Sequence, residues 1–163
     1  MTEIVYIGLG ANLGDVVITL KSALDSLESE PAITVLDCSS FYRSKPIGPK
    51  NQPDYLNAVA KIETSLEASA LLSALQKIES QHGRRRAAER WTARTLDLDI
   101  LLFGQHCIKS SVLTVPHKEM PNRAFVLYPL AEIATQLIVP GLGLLEDLLL
   151  QCSQKDTVKV DAI

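Results

Sequence analysis

Between residues 96 and 103 the chain alternates, with Leu96, Leu98, Ile100 and Leu102 on one side and Asp97 and Asp99 on the other. Period two is the strand period, so this stretch predicts a strand that sends aliphatics into a core and holds two carboxylates on its other face. Residues 4–10 are an apolar run, read as a buried strand, followed by a turn at 11–15 rich in Gly and Asn, which tolerate positive φ. Val16, Leu20, Ala23, Leu24 and Leu27 recur at helical spacing and predict an amphipathic helix, closed by Pro31. Residues 33–43, β-branched and aromatic, predict a second strand. Pro46, Gly48, Pro49 and Pro53 then make 44–54 a long loop. Residues 55–64 predict a third strand, with Leu56, Ala58, Ala60 and Ile62 on one face and Tyr55 and Asn57 on the other. Ser65 and Glu67 mark the start of a second helix, acid in its first turn. Its core stripe is Leu71, Leu72, Leu75 and Ile78, ending before Gly83.

The resulting order is strand, helix, strand, strand, helix, strand. Such split β-α-β units form an antiparallel sheet with helices on one face, an α+β ferredoxin-like architecture within one domain, 1–163. Residues 104–163 decorate it as a C-terminal extension. Val115-Pro116-His117 is expected to be extended, 126–133 helical after Pro129, and 142–150 a short final helix.

Composition narrows the function. The chain is 163 residues long with a net charge of −3, which argues against general nucleic-acid binding by bulk electrostatics. An aromatic content of 5% is too sparse for a base-stacking platform. Cys38, Cys107 and Cys152 lack metal-type spacing and read as reduced thiols of a cytoplasmic protein. There is no apolar run of membrane-spanning length and no basic-then-apolar leader pattern.

Against that acidic background, five of the seven arginines (43, 84, 85, 86, 90, 94 and 123) fall between 84 and 94, directly before the aspartate strand. Two carboxylates at i and i+2 on one strand face repel unless a cation sits between them. Magnesium suits, as a hard ion that takes oxygen ligands and keeps waters and substrate phosphates. Guanidinium beside such a pair is what polyphosphate chemistry asks for. An isolated Asp-x-Asp is more often solvated charge, and an arginine run more often a solvated helix end; their conjunction on adjoining segments points to a phosphate site. Gly8, Gly10 and Gly14 fit no phosphate-loop or dinucleotide fingerprint and read as a plain turn.

Tyr6-Ile7-Gly8-Leu9-Gly10-Ala11-Asn12-Leu13-Gly14, Ser40-Phe41-Tyr42-Arg43-Ser44, Gln52-Pro53-Asp54-Tyr55-Leu56-Asn57, Glu89-Arg90-Trp91 through Phe103, and Val115-Pro116-His117 through Leu130 occur in this order. Together they resemble the 6-hydroxymethyl-7,8-dihydropterin pyrophosphokinase family of folate biosynthesis over nearly the whole chain, a family of ferredoxin-like fold. The resemblance implies transfer of the β,γ-pyrophosphoryl group of ATP to the pterin hydroxymethyl, with release of AMP and two magnesium ions on Asp97 and Asp99. It implies phosphate stabilisation by Arg84 and Arg94, and ATP contacts from Gln76, Glu79, Arg86, Trp91, Ile100, Thr114, His117 and Arg123. For the pterin it implies Asn57 on the amide-like edge, Tyr55 and Phe125 against the ring, and Ser44, Pro46 and Ile47 on the lining loop. A monomer with small-molecule substrates, and neither nucleic acid nor membrane as partner, is expected. Lys118, Val112 and Ser44-Lys45 depart from the family pattern, at peripheral ATP contacts and in loop stiffness. The rival readings are a nucleotidyl- or glycosyltransferase using the same aspartates, and a ferredoxin-like nucleotide- or RNA-binding module without catalysis.

Overall fold

The computed structural model describes residues 1–45, 53–82, 96–152 and 157–160. Its first part runs β1 (Glu3–Ala11), α1 (Val16–Ser29), β2 (Ile33–Cys38), β3 (Tyr42–Ser44), β4 (Tyr55–Thr64), α2 (Ala68–Gln81) and β5 (Asp97–Phe103). The central sheet is ordered β10 (Val158–Lys159, near the end of the chain)-β3-β4-β1-β5, with β2 also pairing β4, and its pairings are antiparallel. Taking β2 and β3 together as one strand, this is the ferredoxin-like order expected from the chain. Val5, Ile7, Leu9 and Ala11 of β1, with Leu56, Ala58, Ala60 and Ile62 of β4, pack on Leu20, Ala23 and Leu27 of α1 and Leu71, Leu75 and Ile78 of α2. Asp15 caps α1 by accepting the Ile18 N–H at 3.2 Å, and Gly14 supplies the positive φ (+74°) of the preceding turn. Glu67 occupies the cap of α2 without a side-chain cap bond.

The single strand expected over 33–43 is two, because Ser39 interrupts it. The Ser39 hydroxyl accepts the Val59 N–H at 2.9 Å, so a side chain stands in for a ladder carbonyl and the backbone bends there. The alternation of β5 also stops short. The register with β1 shifts between Tyr6 and Ile7, inserting Leu101 as an extra residue. Such a bulge reverses the facing beyond it. Leu102, expected beside Leu98 and Ile100, therefore joins the opposite cluster, and Phe103 takes the inner side.

That opposite face carries a second core rather than decoration. The chain continues with β6 (Ile108–Lys109), β7 (Thr114–Val115), a 3₁₀ turn at Met120–Asn122, α3 (Ala124–Ile133), β8 (Ile138–Val139), β9 (Gly143–Leu144), α4 (Leu145–Gln151) and β10 (Val158–Lys159). Met120, Leu127 and Leu130, with Leu145 and Leu148 behind them, close over Tyr6, Val59, Leu101 and Leu102. Helix α3 begins at Ala124, five residues before the proline that was expected to precede it, and Pro129 lies inside it. Burial of Val126, Leu127, Pro129 and Leu130 offsets the hydrogen bond that proline cannot make. The final helix starts at Leu145 because Gly143 and Leu144 pair with β8. No helix among the described residues is long and apolar enough to cross a membrane.

Glu132 ties α3 to the outer strands. Its carboxylate accepts the Tyr42 hydroxyl at 2.7 Å and the Ser40 N–H and hydroxyl, each at 2.9 Å. Burial pushes the carboxyl up, but these donors and the charge of Lys159 outweigh it and leave the pKa below the ordinary value. A depressed folded-state pKa contributes stability that is present above the unfolded value and is lost as pH falls through the lower, folded one. Tyr42→Phe should thus cost about 1 kcal/mol at pH 7, and the difference from the parent should shrink in acid below that window. Urea melts at pH 7 and pH 3 check it, and an equal loss at both would remove Glu132 as the cause. Burial, with Asp37 and Glu132 nearby, also pushes the Cys38 thiol up to about 11, which keeps it protonated and unreactive at neutral pH.

Candidate active site

The cleft lies on the sheet face opposite α1 and α2, where α3 starts, and encloses about 250 Å³. β1, β4 and β5 form its floor, and the register sets the side chains. Gly10 pairs with Asn57 on one flank and Asp97 on the other, while Gly8 pairs with Asp99. Asp97 is half-buried and Asp99 exposed, both on the cleft face as the alternation requires. The glycines keep this floor open. A Cβ on Gly10 would stand 3.1 Å from Asn57 Oδ1, and one on Gly8 would stand 3.3 Å from Leu101 Cδ2. Both belong to β1, as the strand expected over 4–10 requires; of the three glycines read together as a plain turn, only Gly14 sits in one.

Asn57 is 5% exposed and Ser44 2%, and the Asn57 Nδ2 donates to the Ser44 hydroxyl at 2.7 Å. Polar groups this buried hold fixed directions, so the pair presents a defined hydrogen-bonding edge beside Tyr55. Asn12, also buried, donates its amide to the Pro53 carbonyl at 3.2 Å and ties the approach to β4 to the end of β1.

The opposite wall comes from the C-terminal extension. The His117 N–H donates to the Leu101 carbonyl at 3.0 Å, docking the segment after the cis Val115–Pro116 peptide onto β5. His117 Nδ1 accepts the Glu119 N–H at 3.2 Å, so in the neutral ring the proton sits on Nε2, which becomes the available donor. Arg123 precedes α3 and lies over the Phe125 ring, 5.6 Å from its centroid.

Of the residues singled out from sequence, Ser44, Tyr55, Asn57, Asp97, Asp99, His117, Arg123 and Phe125 line this one cleft. Gln76, Glu79, Ile100 and Thr114 do not line it. Glu79 is buried with its Oε2 on the Leu98 N–H at 2.8 Å, and Ile100 belongs to the core beneath the sheet. Pro46, Ile47, Arg84, Arg86, Trp91 and Arg94 lie outside the described residues. Gly8, Gly10, Lys45 and Val126 were missed. The glycines were findable, since period two sets them with Tyr6 on the face opposite Val5, Ile7 and Leu9.

Residues 6–135 match the family model described as 7,8-dihydro-6-hydroxymethylpterin-pyrophosphokinase. The chain belongs to this family. It is 47% identical over 156 residues to the 2-amino-4-hydroxy-6-hydroxymethyldihydropteridine pyrophosphokinase of Haemophilus influenzae, covering 96% of this chain and 97% of that one. It is 45% identical over 152 residues to the Pseudomonas aeruginosa protein of that name, covering 93% of each. Among solved structures it superposes on an HPPK-DHPS protein in complex with substrates at a TM-score of 0.74 and 12% identity, and on a Plasmodium falciparum HPPK-DHPS variant at 0.73 and 15%. It spans 99% and 93% of its own length in these matches but only 47% and 44% of those chains, and at such identities the likeness concerns the fold.

Proposed function

We propose that this chain transfers the β,γ-pyrophosphoryl group of ATP to the 6-hydroxymethyl oxygen of 6-hydroxymethyl-7,8-dihydropterin, releasing AMP, in folate biosynthesis. The observation that carries this reading is the convergence on one cleft of a carboxylate pair, with the Arg123 guanidinium and His117 opposite it, and a buried amide beside aromatic rings. Family membership supplies the substrate class.

Asn57 and Ser44 address the amide-like edge of the pterin, and Tyr55 and Phe125 flank its ring. Arg123 and His117 contact the triphosphate, joined by Arg84, Arg86, Arg94 and Trp91, with Gln76, Glu79, Ile100 and Thr114 behind them. Pro46 and Ile47 complete the pterin side. Among the described residues no group of three or more His, Cys, Asp or Glu side chains assembles for a metal. Two adjacent carboxylates alone suit magnesium, which completes its shell with water and substrate phosphate, and suit it better than an ion needing a closed protein cage. Asp97 and Asp99 would hold two such ions, whose contribution is to neutralise triphosphate charge and align the reacting oxygens.

The hydroxymethyl oxygen attacks the β-phosphorus, the bond from that phosphorus to the α,β-bridging oxygen breaks, and AMP departs with that oxygen as the hydroxyl proton is lost. Guanidinium groups meet the charge developing on the phosphates, and positioning between the two walls does most of the remaining work. The chain acts as a cytoplasmic monomer on small molecules.

Incubation with ATP and magnesium, with and without the pterin, tests the reaction. AMP appearing only with pterin is the expected result; ADP, or no turnover by folded protein, would overturn it. The floor offers a finer check. Gly10→Ala pushes a methyl against Asn57 Oδ1 and should raise the pterin KM about tenfold while leaving the KM for ATP unchanged. An unchanged pterin KM would separate Asn57 from pterin binding.

A further inference from the structure

Glu79 does not line the cleft, yet it is one of the most buried charged side chains described, 3% exposed among the apolar residues of α2 and β5. A carboxylate is kept in such surroundings only against strong donors. One of them is the backbone N–H of Leu98, 2.8 Å from Oε2. Leu98 is the residue between Asp97 and Asp99. β5 ends the sheet, and among the described residues it pairs within that sheet only with β1, so the outward N–H of Leu98 has no ladder partner. The Glu79 carboxylate takes that place.

We propose that Glu79 is a positioning residue for the carboxylate pair, pinning the outer edge of β5 at the peptide between the two aspartates and so setting their separation and direction. It rests on the reading of Asp97 and Asp99 as metal ligands. Glu79 serves the nucleotide site through the strand, without touching the nucleotide. Around the aspartates, among the described residues, the sheet holds β5 from the β1 side alone, and a stretch so held can twist and fray; Asp97 shares the pinned peptide and Asp99 lies one peptide beyond it. Groups that orient metal ligands typically account for about 10–100-fold in metal affinity.

The test uses Mn²⁺ with α,β-methylene-ATP, whose leaving bond cannot be cleaved, and reads metal affinity by electron paramagnetic resonance. Glu79→Ala should weaken Mn²⁺ binding about 10–100-fold and speed hydrogen exchange at the Leu98 amide. Glu79→Gln keeps an acceptor oxygen and should stay within about threefold of the parent on the same scale. Binding of the analogue without metal should not change. Unaltered Mn²⁺ affinity in Glu79→Ala overturns the proposal, and so does a Gln variant as impaired as the Ala variant, or a loss of metal-free analogue binding. Glu79→Met fills the volume without the acceptor and replaces the Ala variant if that does not fold. If neither folds, Glu79→Gln decides alone, since lost affinity with a still protected Leu98 amide overturns the role. Failure of the parent protein to bind Mn²⁺ would instead refute the metal reading itself.

Discussion

Asp97→Ala should lower magnesium-dependent AMP release by roughly 10³-fold or more, about 4 kcal/mol of transition-state stabilisation, while leaving the protein folded. The two effects separate because Asp97 faces the cleft and not either core, so its loss opens no apolar cavity. The protein should therefore still unfold in one cooperative thermal transition as activity collapses. Excess magnesium should recover little, since the surviving carboxylate cannot align both sets of phosphate oxygens. Turnover close to that of the parent, at ordinary magnesium, would mean that the aspartates are solvated charge and that the phosphates are held by cations alone.

Asn57→Ala should act on the other substrate. The amide is buried and already oriented by Ser44, so the hydrogen bonds it offers a pterin edge are made without further ordering. Losing two such bonds, at about 1.5 kcal/mol each, should weaken pterin binding roughly 10²-fold. ATP binding should be nearly unchanged, because the proposed triphosphate contacts come from the far wall. Calorimetric titration of each ligand separates the outcomes. An unaltered pterin affinity would exclude Asn57 as the reader of the ring edge, and parallel loss of both ligands would point to collapse of the cleft instead.

Much of the central unit was legible because side-chain facing within a strand follows from covalent geometry. Asp97 and Asp99 share a face at spacing two, and Leu98 and Ile100 share the other, whatever the strand's neighbours. The helical stripes through Leu20 and Leu27, and through Leu71 and Leu75, reached the core as their spacing required. Element order then restricted the topology, since split β-α-β units have few compact solutions. The resemblance named residues that periodicity could not, such as His117, Arg123 and Phe125, all of which line the cleft.

The departures came wherever a non-local contact competed with the local pattern. Ser39 bends a strand because its hydroxyl meets the Val59 N–H on another strand, and no count of β-branched residues registers that. The bulge at Leu101 exists only in the pairing with β1, so the facing of Leu102 could not be read from alternation alone. Helix α3 runs through Pro129 because its apolar side has a sheet to cover.

The sequence by itself determined the strand and helix periods, the shared face of the two aspartates and the family to which they belong. Tertiary structure alone decided that the C-terminal extension covers the second sheet face and delivers His117, Arg123 and Phe125 opposite those aspartates. It also decided that Gly8 and Gly10 clear the floor between them, and that Glu79 reaches the amide between them. The first set follows from bond geometry over a few residues; the second depends on contacts between segments tens of residues apart, which exist only once the chain has packed.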